Sequence, residues 1–178
     1  MGIIIGALAA MLIRLTRFMT ILGQKLTISL RMALAGLAVG LIASICPEIM
    51  GIGYDTIAGV KLGQLGLLTM LLILFAKILA TSISIGFSIP AGLIGPSIFI
   101  GAIAGGICGQ LFESNLDSFS SIGLYTLLGM GAMMSATLQA PLAALLALLE
   151  VSGNQNIIFP AMLAVVSANL TAKEVFKS

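Results

Sequence analysis

The 178-residue sequence contains no histidine. Histidine is the commonest general base and the commonest metal ligand, so its absence removes the side chain on which many enzymes and metal centres depend. The nucleophile elbow, the zinc-binding HExxH, the phosphate-binding loop and the dinucleotide fingerprint are missing as well. Cysteine occurs only at Cys46 and Cys108, both in apolar sequence, where a packing role is favoured over a disulfide or a metal site. We therefore expect neither an enzyme nor a metal site, and no cofactor.

Charged side chains are also scarce. They make up 8% of the residues, whereas 60% are hydrophobic and the mean hydropathy is +1.22. A soluble domain carries about 25% charged residues, so this chain has too few polar side chains to cover a water-facing surface. The composition predicts a multi-pass protein of the cell membrane whose main partner is the lipid bilayer. The net charge of +2 gives no reason to expect nucleic acid as a partner.

Continuous apolar blocks, separated by charged and turn-forming residues, account for most of the chain. They are about 9 to 21 residues long, whereas a simple spanning helix needs about 20. Short or broken membrane helices are tolerated only where they pack in protein or line a cavity, as in channels and transporters. The fold class predicted is all-α integral membrane, with about seven or eight spanning, broken and re-entrant helices. The blocks are 2–13, 32–46, 65–85, 96–112, 122–140, 141–149 and 157–172.

Two details of this pattern carry further predictions. Gly36 and Gly40 have the GxxxG spacing, which favours close packing against another membrane helix. The segment 47–61 contains a proline, three glycines and two acidic residues, so we expect a loop.

The segment 86–101, GFSIPAGLIGPSIFIG, contains two prolines and four glycines within one of the most apolar parts of the chain. Pro96 suits the first turn of a helix, which predicts a helix over 96–112. Gly92 and Gly95 permit backbone conformations that other residues resist. A helix beginning inside the membrane would leave N–H groups near Leu93 and Ile94 unpaired, at the positive end of the helix dipole.

Such a helix start is an anion site made from backbone alone. No Asp or Glu occurs between Asp55 and Glu113, so no carboxylate nearby in sequence would repel an anion. The alternative is a proline–glycine kink in an ordinary membrane helix, and the residues alone leave both open. Two other charges are equally open. Lys77 is either a functional charge or a side chain that snorkels to an interface, and Glu150 marks either a membrane boundary or an ion or proton path.

Four stretches, in order and covering nearly the whole chain, resemble the CLC family of voltage-gated chloride channels and chloride/proton exchangers. The segment 92–106 resembles the family's GxFxP motif and the helix after it, with Ile94 in place of the usual Phe. Gln139 stands where the family usually has Arg before Ala-Pro. The other stretches are RMALAGLAVGLIASICPEIMGIGYDTI at 31–57, LLGMGAMMSATLQAPLAALLALLEVSGN at 127–154 and IIFPAMLAVVSANLTA at 157–172.

The resemblance implies transmembrane chloride transport, as a channel or an antiporter component. In the family, chloride is bound by backbone amides at helix N-termini, which implies anion binding by the segment Gly92, Leu93, Ile94, Gly95 and Pro96. The resemblance also implies a homodimer, with an interface through about 140–171. Channel and exchanger are not distinguished.

Family members consist of two inverted halves, and this chain resembles the second. Residues 1–178 are therefore expected to be a partial transmembrane domain without a separate soluble domain. The GSGIP and GREGP motifs of the first half do not occur. In the family a tyrosine completes the ion site. Tyr54 and Tyr125 lie in other motifs and cannot be assigned that role. We expect a fragment that is incomplete by itself, whose first half a separate chain could supply. The alternative is a truncated remnant that packs with membrane helices and transports nothing.

Overall fold

The computed structural model describes residues 1–90, 92–113 and 120–177. Within these ranges the chain folds into eight α-helices and two short 3-10 turns, Pro47–Ile49 and Gln155–Ile157, without a β-strand. The all-α prediction is confirmed. The helices are α1 (Gly2–Gly23), α2 (Ile28–Ile45), α3 (Tyr54–Lys61), α4 (Leu67–Gly86), α5 (Ile94–Glu113), α6 (Ser120–Leu138), α7 (Pro141–Ser152) and α8 (Ile158–Lys177).

Helix length divides these elements into two groups. Five apolar segments, containing α1, α2, α4, α5 and α8, are long enough to cross a membrane. By contrast α7 has 12 residues, which corresponds to a length of about 18 Å against the roughly 30 Å of a hydrocarbon core. A second shorter apolar segment is Ile122–Leu138 in α6, so the described residues combine spanning helices with shorter apolar ones, as the block lengths predict.

Two boundaries differ from the sequence prediction. The segment 47–61 is not a simple loop, because it contains the turn at Pro47–Ile49 and helix α3. That helix forms because Ile57 and Val60, three residues apart on one face, are buried against α5 and α6. The block 2–13 is too short, since α1 continues to Gly23. Arg14 and Arg17 belong to this longer helix, where a charged side chain does not interrupt the backbone hydrogen bonds.

Helices α5 and α6 form the centre of the chain. In the apolar stretch of α5, 61% of the residues are buried, whereas in that of α2 only 6% are buried. Their backbones come into direct contact because glycines face each other. A Cβ atom on Gly129 of α6 would collide with the backbone of Gly101 and Gly105 in α5. This close approach of the two backbones fixes α5 against α6.

Helix α2 is the most exposed spanning helix of the chain, and Ala35 is its only buried residue. A Cβ atom added to Gly36 or Gly40 would have no neighbour within 4 Å. The close packing predicted from their spacing is therefore not found within the described residues, and this glycine face is left open.

Candidate anion site at the start of helix α5

The proposed anion-binding segment lies where the chain leaves α4 and begins α5. Helix α5 starts at Ile94, not at Pro96, so the predicted start is wrong by two positions. Its first backbone hydrogen bond runs from Ser97 N to Leu93 O, at 3.1 Å. Proline is accepted there because none of the first-turn nitrogens has an acceptor within the helix, so its missing N–H costs no bond.

The N–H groups of Leu93, Ile94 and Gly95 precede this first bond and have no acceptor within the helix. Pro96 contributes no donor. The segment faces the surface of the chain, and Ile94 is 53% exposed. The structure thus brings together the N–H groups that the sequence predicts, with Gly95 as an additional donor. Such a cluster of amides at the positive end of a 20-residue helix is suited to an anion.

The two glycines of this segment have free space at their Cβ positions. Gly95 lies in the first turn of the helix directly before Pro96, where a residue with a Cβ atom is disfavoured in the helical conformation. A Cβ atom on Gly92 or Gly95 would have no neighbour within 4 Å. The absent side chains therefore leave room beside the backbone of this segment.

Two buried hydroxyls, which the sequence did not single out, hold this first turn in place. Ser97 is fully buried, and its Oγ donates to Leu93 O at 2.6 Å. Thr137, near the end of α6, has its Oγ1 at 3.0 Å from Ser97 Oγ and at 2.7 Å from Met133 O. Met134 O lies at 3.2 Å, and since a hydroxyl has one proton, Thr137 donates to one of these three acceptors at a time. A serine directly after the helix-starting proline was the one available signal.

Lys77 is buried in the middle of α4, with 5% of its surface exposed. Its Nζ donates to Ile49 O at 2.6 Å and to Gly51 O at 2.8 Å. The same nitrogen lies 4.6 Å from the centre of the Phe99 ring in α5. The snorkelling alternative is therefore wrong within this chain, because the ammonium points into the protein and is held by carbonyls and a ring face.

The segment that supplies those carbonyls depends on glycine. Gly51 and Gly53 have φ values of +64° and +73°, a region that residues with a side chain rarely adopt. A Cβ atom on Gly53 would also collide with the Phe99 ring. These two glycines therefore allow the backbone to turn its carbonyls toward Lys77 while it packs against α5.

A cavity of about 300 Å³ adjoins both Lys77 and the first turn of α5. It lies between α2, α4 and the segment after α2, directly beside the candidate site. None of its lining residues is acidic. They are Val39, Ile49, Gly51, Lys77, Ala80, Thr81, Ser84, Ile85 and Pro96.

The remaining candidates lie away from this site. Glu150 is exposed near the end of α7, and its two predicted roles stay open. The Tyr125 ring stacks on Phe112, with ring centres 6.0 Å apart. Cys46 and Cys108 are free thiols, and Cys108 is buried. Within the described ranges, no three His, Cys, Asp or Glu residues are grouped as metal ligands would be.

Comparison with known proteins decides the family. A family model described as voltage gated chloride channel matches residues 1–173. The chain belongs to this family. The resemblance inferred from the four motifs is thereby confirmed, and with the five helices long enough to cross a membrane the chain is a multi-pass membrane protein.

Individual relatives carry names of the same kind. A putative ClcB-like chloride channel protein of Ralstonia nicotianae is 33% identical over 149 residues, which cover 83% of this chain and 35% of the relative. The H(+)/Cl(-) exchange transporter ClcA of Citrobacter koseri is 28% identical over 142 residues, covering 79% and 30%. That of Vibrio cholerae is 27% identical over 139 residues, covering 75% and 29%. The chain spans about a third of the length of these curated relatives.

Proposed function

We propose that this chain forms part of a transmembrane chloride transporter, either a voltage-gated channel or a chloride/proton antiporter. Its family membership supports the ion class, and the named relatives include both a chloride channel and proton-coupled exchangers. The single observation that carries the proposal within this chain is the start of α5. There, first-turn amides without an acceptor among the described residues lie at the surface of the chain, and no acidic residue lines the adjoining cavity.

The proposed mechanism uses backbone rather than charged side chains. The N–H groups of Leu93 and Ile94, with that of Gly95, would donate to a chloride ion at the positive end of the helix dipole. Gly92 and Gly95 would leave the approach unobstructed, and Pro96 would shape the first turn. A dipole equivalent to about half a positive charge holds an anion without the strong attraction that would prevent its release.

We further propose that this site is only one wall of the anion pathway and that a first half of the domain completes it. The motivation is its exposure, since the segment 92–94 lies at the surface of the chain without an opposing element among the described residues. A separate polypeptide would be one source of that half. A second copy of the chain is also proposed as a partner, in a homodimer through about 140–171. Large apolar side chains are exposed there, including Leu142 at 75% and Phe159 at 80%.

The test measures chloride efflux from liposomes and, in the same experiment, the movement of protons across the membrane. The 178-residue chain would be reconstituted alone and together with the first half of a chloride-transporting relative. We expect efflux from the combined protein, and proton movement coupled to it would identify an antiporter. Absence of efflux from every combination that assembles would contradict the proposal and favour the alternative, a chain that only packs with other membrane helices. The open glycine face of α2 is the observation that favours this alternative.

The anion site itself is tested with Gly95→Val. The added side chain meets no atom of this chain within 4 Å at its Cβ position, so the packing between helices should persist. The side chain obstructs the amides or, because a β-branched residue before Pro96 disfavours the helical conformation, displaces them, and either effect should weaken anion binding. Gly66→Val is the matched control, because Gly66 is equally free of neighbours and lies at the start of α4 with a φ of −69°. Efflux should fall at least about tenfold in the first variant and stay near that of the unmodified protein in the second. Equal efflux in both would remove the assigned site.

A further inference from the structure

The cavity between α4 and the first turn of α5 has a chemical character that packing alone does not explain. Lys77, Thr81 and Ser84 all line it, and their spacing places them on one face of α4. Thr81 has 6% of its surface exposed, yet neither its hydroxyl nor that of Ser84 bonds to another residue in the part of the chain that the structure describes. The cavity therefore presents donors that have no protein acceptor.

No carboxylate among the described residues lines this cavity or bonds to Lys77. Both polar partners of the Lys77 ammonium are backbone carbonyls, and its third contact is the face of the Phe99 ring. An ammonium has three N–H donors, so one remains after the two carbonyls are satisfied. A buried charge is costly unless it is paired. A mobile anion in the cavity would supply the missing opposite charge.

Size and surroundings agree with a small ion. The volume of about 300 Å³ is several times the ~30 Å³ of liquid that one water molecule occupies, so a partly hydrated anion fits. Pro96 contributes to the wall, which places the cavity next to the positive end of the α5 dipole. The lining offers a buried ammonium and no acidic side chain, so an anion is favoured over a cation.

We propose that this cavity is a second anion-binding site, distinct from the amides of Leu93 and Ile94, in which Lys77, Thr81 and Ser84 bind a small inorganic anion such as chloride. The site rests on the proposed function only for the choice of a halide as ligand. Its binding is an equilibrium property of this chain and does not depend on transport. Because Pro96 borders the cavity, an ion held here would lie next to the amides at the start of α5.

The experiment measures the sign of the potential in the cavity. In the full chain carrying Cys46→Ser and Cys108→Ala, Val39→Cys places one thiol in the cavity wall without removing a proposed ligand. Its reaction rates with a negatively charged and a positively charged methanethiosulfonate would be compared. We expect the negative reagent to react at least about tenfold faster after correction for their rates with a free thiol, since a charged cleft raises local concentration by that order. Thiocyanate should slow this reaction severalfold.

Three further variants decide the assignment. Lys77→Arg should keep the preference for the negative reagent, and Lys77→Met should abolish both the preference and the protection by thiocyanate. Should Lys77→Met fail to fold, Thr81→Val still tests the site, because it keeps the shape but removes one donor and should weaken protection severalfold. The proposal would be overturned if the protein that keeps Lys77 shows no preference for the negative reagent. It would also be overturned if thiocyanate protects the thiol equally well in Thr81→Val.

The proposed function and this site can fail separately. Gly95→Val should reduce chloride efflux of the completed protein while the thiol retains its preference for the negative reagent. Loss of efflux in every protein, with the preference intact, would support the second anion site and contradict the transport function. Efflux without any preference for the negative reagent would support transport and contradict the second site.

Discussion

The hydroxyl of Ser97 in the first turn of α5 lies 3.0 Å from the hydroxyl of Thr137 in the last turn of α6. Both side chains are buried. Ser97 Oγ in turn donates to Leu93 O, so a single polar chain connects α6 to the residue whose amide is proposed to bind chloride. The bond from Ser97 Oγ to Leu93 O fixes the first turn of α5, and Thr137 adds a bond from α6 when its one proton points to Ser97 and not to Met133 O.

We expect Thr137→Val to lower both stability and transport. Removing a buried hydroxyl that bonds across helices costs about 1 kcal/mol, and the first turn of α5 should become less well positioned. The measurements are thermal unfolding in detergent and chloride efflux from liposomes of the completed protein. Thr126→Val is the matched control, because Thr126 is also fully buried in α6 but donates only to Ile122 O of its own helix, at 2.8 Å. Equal losses of efflux in the two variants would contradict a role for the Ser97–Thr137 contact.

A second prediction concerns the contact between α5 and α6. Gly129→Ala places a Cβ atom against the backbone of Gly101 and Gly105, so the helices must separate. We expect a loss of about 1–3 kcal/mol, as for other overpacked contacts. Gly123→Ala on the same helix is the control, since its Cβ would lie 3.8 Å from the nearest atom, Lys61 O. Thermal unfolding that ranks the two variants in the opposite order would contradict this account of the core.

A third prediction concerns the buried amide that connects α8 to α6. Asn169 Nδ2 lies 3.2 Å from Ser135 O and 3.3 Å from Ser135 Oγ, and both residues are buried. Asn169→Leu should lower stability by about 1 kcal/mol, because the carbonyl and the hydroxyl both lose a donor. Ser135→Ala should cost less, since Asn169 can still donate to the carbonyl. A double-mutant cycle of the two isolates the contact between the amide and the Ser135 hydroxyl, and additive effects would show that this contact has no energetic value.

The sequence predicts most helices because a long continuous apolar run in a membrane protein can satisfy its backbone hydrogen bonds in few structures other than a helix. Helix α3 was missed since its eight residues lie among glycines, a proline and acids, and only tertiary burial of Ile57 and Val60 stabilises it. The site could be predicted in its main feature, a helix that begins after Gly92, because proline and glycine act locally. The family assignment also followed from the sequence, through motifs of fixed order.

The surroundings of Lys77 could not be predicted from the sequence, for a physical reason. Whether a lysine in a membrane helix snorkels or is buried depends on acceptors that other segments bring to it. Here the acceptors are the carbonyls of Ile49 and Gly51, 28 and 26 residues away in sequence. The same holds for Ser97 and Thr137, which are 40 residues apart. Contacts of this range arise only when the helices have packed.

A last prediction follows from a hydroxyl that has no partner. Ser82 in α4 is fully buried, and its Oγ makes no hydrogen bond with any described residue. Burying an unpaired hydroxyl costs about 1–3 kcal/mol. Ser82→Ala removes that cost and adds only a small void, so we expect thermal stability to stay the same or to rise. Ser97→Ala is the contrasting variant, because Ser97 is equally buried but its Oγ donates to Leu93 O, so its removal should lower stability. A clear drop in the unfolding temperature of Ser82→Ala would mean that this hydroxyl bonds to a group outside the chain, such as the first half of the domain.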